Sequence, residues 1–462
     1  MYLLKINYLK KIISNNQNAI KRVIDNKKIE EFIKGLPYQL TEDQISSIKE
    51  ILSDMESNKQ MNRLLQGDVG SGKTIVAFIG AYANYLSGYL TALMVPTEIL
   101  AKQHYEDAKK IFKDTDMKIE LLTSSVKKKD KDKILEELRD GRVELIIGTQ
   151  SLIQEDVKFN NLGLVITDEQ HRFGVNQRNN LKNKGVSPDV LSMSATPIPR
   201  TYALTIYCDM DVSSIKTKPK GRLDVITYFK REKDITSVLE MMLEELNKKH
   251  QIYVIAPMID NDNEEIENVV ELEEKMNKAF GKVSKIASIH GKMDSHEKEK
   301  IMASYEKGDI DILISTTVIE VGVNVPNASM IVIFDADLFG LSTIHQLRGR
   351  VGRSDIQSYC ILIAKEYQER LKFLEKCSDG FEISEYDFKN RGGGMLNGVK
   401  QSGDKDLNLK LANFRKDALM LMKARDDVME LLPEILNNKD EYQELYQEIT
   451  KDNDYNEVRY GE

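Results

Sequence analysis

The stretch Gly67-Asp68-Val69-Gly70-Ser71-Gly72-Lys73-Thr74 constrains this chain more than any other. It fits GxxxxGK[ST] and stands between an apolar β-like run at 61–66 and a helical pattern at 73–87. That strand-then-helix context is what the motif requires. Glycines let backbone N–H groups curl around phosphate oxygens, and the N-terminus of the following helix adds its dipole. Gly67, Gly70, Ser71 and Gly72 would form the cradle, Lys73 would contact the β- and γ-phosphates, and the Thr74 hydroxyl would hold Mg²⁺. A chance glycine turn is the competing reading.

The strand–helix unit recurs. Candidate strands lie at 61–66, 91–95, 118–122, 143–148, 162–167 and 190–193, with helical patterns between them, for example at 73–87 and 99–112. Alternation of this kind predicts α/β domains with parallel sheets covered on both faces. Residues 216–222 form a polar hinge, and beyond it the alternation restarts at 224–229, 252–257, 283–289, 310–315, 330–334 and 359–364. Two similar halves on a short linker read as a duplicated α/β core. The acidic insertion 260–274 reads as a solvated loop leading into a helix. From about Cys377 the character changes: a glycine cluster at 392–394, helical patterns through Leu432, then an acidic tail expected to fray.

At 462 residues, two or three domains are expected. With 41% hydrophobic and 30% charged residues the composition is that of a globular protein. The net charge of −8 argues against a uniformly basic nucleic-acid coat but not against local phosphate-gripping patches. Cys208, Cys360 and Cys377 form no CxxC pair and read as buried thiols rather than a metal site or disulfide. No apolar run approaches the roughly 18 residues that span a bilayer, and the N-terminus makes a poor signal peptide, so a cytoplasmic enzyme is the expectation. Residues 1–34 alternate apolar and basic positions at helical spacing, which suits packing against a neighbouring domain or a membrane surface.

About a hundred residues after the phosphate loop, the run Asp168-Glu169-Gln170-His171-Arg172-Phe173-Gly174-Val175 follows an apolar strand. Downstream of such a loop, Asp168 would contact Mg²⁺ and Glu169 would orient and deprotonate the attacking water. Without the loop, an acidic turn at a strand end would be the better reading. His171 would either couple nucleotide to nucleic acid or make structural hydrogen bonds. In the second half, Gln346-Leu347-Arg348-Gly349-Arg350-Val351-Gly352-Arg353 offers three guanidiniums in six residues. Arg350 and Arg353 would reach the γ-phosphate as fingers if the two halves close on one ATP. A solvated basic turn or a DNA-contacting patch is the alternative.

In the order of these motifs the chain resembles a superfamily 2 helicase over nearly its whole length. Residues 36–41 with Gln44 resemble the Q motif, which implies Gln44 as adenine reader and Tyr38 as a ring contact. Pro96-Thr97-Glu98 resembles motif Ia and Gly148-Thr149-Gln150 motif Ib, so that Thr97, Thr149 and Gln150 would contact backbone phosphates. Ser194-Ala195-Thr196-Pro197 resembles motif III, and Ser315-Thr316-Thr317 opens a segment similar to motif V. The resemblance thus assigns Ser194, Thr196, Thr316 and Thr317 to coupling, and places Gln346 beside the nucleotide. It implies two tandem RecA-like domains, ATP and Mg²⁺ as cofactors, and a monomer.

Within that superfamily the runs 64–74, 168–175 and 194–201 are most similar to the RecG helicases. The segment from Gly380 to Gly403 resembles their TRG motif, a helical hairpin and loop that converts motor closure into translocation, with Arg391, Lys400 and Gln401 as its coupling residues. Gln170 separates the chain from the transcription-repair coupling factor, which usually has Glu there. Lys400 departs from the family's arginine, keeping the charge but losing the planar fork, and Gly393 stands where proline is usual.

The resemblance implies a helical linker remnant at 1–34, RecA-like domains at 35–215 and 216–376, and a TRG motif with C-terminal helices at 377–462. It also implies the motor portion of a RecG without the N-terminal wedge domain. The function implied is ATP-dependent translocation on branched double-stranded DNA (stalled forks and Holliday junctions), with single-strand-binding protein as a protein partner and no membrane. A transcription-repair-coupling translocase and a truncated DNA-binding module without productive unwinding are the rivals.

Overall fold

The computed structural model describes residues 19–197, 210–217, 223–257, 262–316, 325–352, 354–390 and 418–450, together with Leu4, Lys5 and Tyr8. Two compact units account for the chain: residues 1–67, 72–217 and 388–462 form the first, and 68–71 with 218–387 the second.

In the first unit seven strands form one parallel sheet: β1 (Asn62–Gly67), β2 (Leu90–Met94), β3 (Ile119–Leu122), β4 (Leu145–Gly148), β5 (Leu162–Thr167), β6 (Asp189–Ser194) and β7 (Asp211–Ile215). Their order is β3-β4-β2-β5-β6-β1-β7. Strands β2 and β5 are buried at every position, as expected of a sheet with both faces covered. The helices are α1 (Asn26–Lys34), α2 (Glu42–Glu56), α3 (Lys73–Leu86), α4 (Glu98–Ile111), α5 (Lys128–Arg139) and α6 (Val175–Lys182). Strand β7 was not expected from sequence. Its run Asp-Val-Ser-Ser-Ile is short and half polar, yet it pairs with β1, and Ser213 and Ser214 find buried partners in Arg63 and Gln66.

Helix α2 is locked in place from both ends. Thr41 accepts a hydrogen bond from the Gln44 amide at 3.3 Å, while the Thr41 amide donates to Gln44 Oε1 at 2.8 Å, a reciprocal capping box. Further along, Arg63 on β1 donates to Glu50 at 3.0 Å and to Asp54 at 2.7 Å on the same helix.

The second unit repeats the plan with β8 (Ile226–Arg231), β9 (Gln251–Ile255), β10 (Ile286–Ile289), β11 (Ile312–Ser315), β12 (Ala328–Ile333) and β13 (Tyr359–Ala364). They too are all parallel, in the order β10-β11-β9-β12-β13-β8. Its helices are α7 (Ile235–Asn247), α8 (Asp262–Phe280), α9 (Ser295–Glu306), α10 (Leu341–Arg348), α11 (Glu369–Lys376) and α12 (Gly380–Asn390). The acidic stretch read as a solvated loop is instead most of α8. Val269, Leu272, Met276 and Phe280 recur at helical spacing and pack into the second core, which outweighs the charge on the outer face.

The C-terminal segment carries α13 (Ala418–Asn437) and α14 (Gln443–Thr450). Helix α13 runs through Pro433 rather than stopping before it. Burial of Leu432 and Ile435 on both sides of the proline offsets the lost backbone bond. Part of the expected acidic tail is also helical, because Ile449 and Tyr446 join the same cluster. Leu4 and Tyr8 complete that cluster, so these two N-terminal apolar positions pack against the C-terminal helices.

Farther along the N-terminal segment, Arg22 is fully buried. It donates to Asn84 Oδ1 at 3.0 Å, to the Gly163 carbonyl at 2.5 Å and to Asp189. The thiols of Cys360 and Cys377 are free and buried, and burial pushes Cys360 up to about 12. Among the described residues no helix is long and apolar enough to cross a membrane.

Candidate nucleotide site

In a parallel sheet every strand ends on the same edge, which collects the loops after β1, β2, β4, β5 and β6 along one side of the first unit. The phosphate-loop residues follow β1. Gly70 and Gly72 take left-handed backbone with φ of 76° and 83°, which only glycine adopts without strain. Gly72 is demanded twice, since an added Cβ would fall 2.2 Å from Gln44 Nε2. Gln44, buried and held by its capping box, therefore lies against the start of α3. Lys73 is buried, its ammonium donating to the Gly67 carbonyl at 2.8 Å. Thr74 is the second residue of α3, and Tyr38 is half exposed.

Asp168 follows β5, and both of its oxygens are engaged. Oδ1 accepts the Glu169 amide at 2.9 Å, and Oδ2 faces His104 Nε2 at 3.0 Å. Burial works to raise this carboxyl, but the His104 hydrogen bond, the His104 and Lys73 charges and the Glu169 amide outweigh it and hold it below the usual carboxylate range. Glu169 sits in left-handed backbone with φ 50° and ψ 54°, where a non-glycine residue is strained, and a 3-10 turn over Gln170–Arg172 begins from it. The buried Gln170 side chain reaches Met210 Sδ at 3.9 Å.

The flanking motif residues line the same edge. Thr97 caps α4, its hydroxyl accepting from the Leu100 amide at 3.4 Å. Thr149 is buried and Gln150 exposed after β4. At the end of β6, Ser194 and Thr196 share a hydroxyl–hydroxyl bond of 2.9 Å. His171 lies in the 3-10 turn after Glu169.

In the second unit Thr316 is fully buried after β11, and Gln346 is buried on α10. Arg348 and Arg350 are both about 5% exposed, which does not agree with a solvated basic turn. Arg348 is a brace: it donates to Thr227 Oγ1 at 3.3 Å and to the Leu374 and Cys377 carbonyls at 3.2 and 2.9 Å, and meets His345 Nδ1 at 2.7 Å. Arg353, Thr317, Arg391, Lys400 and Gln401 lie outside the described residues.

One residue that touches the candidate site escaped the sequence reading. His104 occupies the buried face of α4 with Leu100, Ala101 and Ala108, and a lone polar residue on that apolar stripe is the signal that could have found it.

Three family models match the chain in series: the DEAD/DEAH box helicase over residues 41–204, the helicase conserved C-terminal domain over 233–355, and ATP-dependent DNA helicase RecG, domain 3, C-terminal over 377–457. The ATP-dependent DNA helicase RecG of Staphylococcus aureus (strain Mu50) is 49% identical over 451 residues, 96% of this chain. The chain belongs to the RecG family. A RecG from Staphylococcus epidermidis (strain ATCC 35984) is 50% identical over 438 residues, 94% of this chain. The chain spans 65% and 64% of the length of these two curated relatives.

Among solved structures, RecG bound to a three-way DNA junction is 40% identical, with a TM-score of 0.76, covering 91% of this chain and 56% of that one. Mss116p bound to ssRNA and AMP-PNP, 16% identical with a TM-score of 0.59 over 92% of this chain and 88% of that one, shares the fold. The two parallel sheets are thus RecA-like domains of a RecG-family chain, a family whose ATP-dependent members use nucleotide.

Proposed function

We propose that this RecG-family chain is an ATP-dependent translocase that remodels branched double-stranded DNA in recombination and repair. The observation that carries the reading is the joint placement of Lys73, Asp168 and Glu169 on one sheet edge. Asp168 is buried yet held below the usual carboxylate range, which keeps it ionised.

That ionised carboxylate and the Thr74 hydroxyl are hard oxygen donors suited to Mg²⁺. The cation commonly takes one or two carboxylates plus substrate phosphates rather than a protein cage. Bound there, Mg²⁺ would neutralise charge on the phosphates.

The chain's own residues do the rest. Gly70, Ser71 and Gly72 present backbone N–H groups to phosphate oxygens, and Gln44 reads the base with Tyr38 beside it. Lys73 exchanges its Gly67 carbonyl for the β- and γ-phosphates. Glu169 orients water and takes its proton. Arg350 and Arg353 supply positive charge to the γ-phosphate, with Gln346 beside them. Thr97, Thr149 and Gln150 contact DNA phosphates. Ser194, Thr196, Thr316, Thr317 and His171 carry the coupling, which Arg391, Lys400 and Gln401 extend into the C-terminal segment.

The junction DNA named for the 40%-identical RecG structure supports branched duplex DNA as substrate. We place the motor in residues 35–215 and 216–376 and expect it to act as a monomer, with single-strand-binding protein as a candidate partner. The test is ATP hydrolysis with and without a synthetic three-way junction. Junction-stimulated hydrolysis, lost in Lys73→Ala, is the expected result. Hydrolysis indifferent to DNA, or intact in Lys73→Ala, would sink the proposal.

A further inference from the structure

We infer that His104 is a positioning residue for Asp168, holding that carboxylate in the orientation needed for the metal–nucleotide complex. The inference rests on the nucleotide-hydrolysis reading above and deepens it at a residue outside the helicase motifs.

His104 is 4% exposed and lies 64 residues before Asp168 in sequence, yet its Nε2 stands 3.0 Å from Asp168 Oδ2. An ionised carboxylate only accepts hydrogen bonds, so the ring nitrogen facing it carries the hydrogen. The other ring nitrogen, Nδ1, is buried and finds no hydrogen-bond partner among the described residues. A histidine kept only for packing has little reason to bury a ring nitrogen without a partner. The ring's one polar contact among the described residues is with the carboxylate oxygen.

The other oxygen accepts the Glu169 amide, so rotation of the carboxylate is stopped from both sides. The Phe78 ring of α3 packs edge-on against the imidazole, with centroids 6.4 Å apart at 76°. The imidazole is thus wedged between the helix that starts at Lys73 and the acidic strand end. Its own helix, α4, begins at the Thr97 cap two turns earlier. One rigid helix therefore joins the proposed phosphate-contacting Thr97 to the carboxylate proposed to hold Mg²⁺. Hydrogen-bonding partners of ligating groups typically carry about 10–100-fold of metal affinity or activity.

The test uses the 462-residue chain and its His104→Leu, His104→Gln and His104→Asn variants. Glutamine can place an amide N–H close to the position of Nε2, asparagine is too short, and leucine fills the space without a donor. Binding of a fluorescent ATP analogue is titrated in EDTA and again against Mg²⁺, alongside steady-state hydrolysis.

In His104→Leu the affinity in EDTA should match the unaltered chain, while half-saturating Mg²⁺ rises about 10-fold or more and kcat falls with little change in KM for ATP. His104→Gln should recover most of the loss. An unshifted Mg²⁺ dependence in His104→Leu overturns the inference, as does equal impairment in His104→Leu and His104→Gln. If His104→Leu does not fold, His104→Asn takes its place: a shift in Asn but not in Gln supports the positioning role, and equal shifts overturn it. Failure of the unaltered chain to bind the analogue at all overturns the hydrolysis reading itself, and the inference with it.

Discussion

The two sheets share one strand plan, and the difference in what their loops carry is instructive. Numbered within each unit, the order is 3-4-2-5-6-1 in both, with β7 added only to the first. Even local strain is repeated. Glu169 follows β5 at φ 50°, ψ 54°, and Asp335 follows the equivalent β12 at φ 43°, ψ 48°, each leading into a 3-10 turn. The backbone at this position is therefore a property of the scaffold, not of catalysis.

Chemistry separates them. After β1 come glycines and Lys73, whereas after β8 come Glu232, Lys233 and Asp234, with no glycine loop. In consequence the carboxyls go opposite ways. Lys73 and His104 help hold Asp168 low, while burial, joined by Asp337 and Glu232 and opposed by Lys365, raises Asp335. One plan thus carries a lowered carboxyl beside Lys73 and His104 in the first unit and a raised one beside Asp337 and Glu232 in the second.

The sharpest way to break this contrast is to remove both strained acids. Glu169→Gln should lower ATP turnover by roughly 10²–10⁴-fold, the range for a lost general base. Asp335→Asn should leave turnover within about twofold, as for substitutions away from a site. Comparable losses in steady-state assays of the two variants would mean that the second unit's acid also takes part.

A smaller effect separates bracing from chemistry within the arginine segment. Arg348→Ala leaves the Thr227 hydroxyl and the Leu374 and Cys377 carbonyls without their donor. It should cost about 2–4 kcal/mol of stability, measured as a lower urea midpoint. An unmoved midpoint would remove Arg348 as a brace.

Less costly still is Gly148→Ala in the first unit, where the new Cβ would fall 2.3 Å from the Leu122 carbonyl and 2.9 Å from Leu152 Cγ. Overpacking of this kind should cost about 1–3 kcal/mol in the same assay.

The mildest probe is pH. Burial, against the pull of Arg22, raises the Asp189 carboxyl to about 6 from its ordinary 3.8. The folded chain thus holds this proton more tightly than the unfolded one. The stability contributed is complete below about 3.8 and is lost as pH rises through about 6. Urea midpoints should fall from pH 5 to pH 7 in the unaltered chain and fall less in Asp189→Asn. Equal slopes in both would place the pH dependence elsewhere.

Much of this was legible in the residues. All six strands expected in each half are present, because buried parallel strands are short apolar runs and every such run was visible. What was missed shares a cause. Strand β7 is half polar and depends on Arg63 and Gln66 to satisfy its serines. Helix α8 reads as acidic until the core that receives Val269 and Leu272 is known. Helix α13 crosses Pro433 because both flanks are buried.

The sequence by itself pointed to the family: a phosphate loop, an acidic pair and an arginine segment are local patterns, each complete within about eight residues. Only the tertiary structure decided which residues serve them. His104 meets Asp168 across 64 residues, Arg22 meets Asp189 across 167, and Gln44 lies against Gly72 because α2 is pinned to the sheet. No local window contains these pairs. They exist because parallel strands bring distant loops to one edge, where packing rather than propensity selects the neighbour.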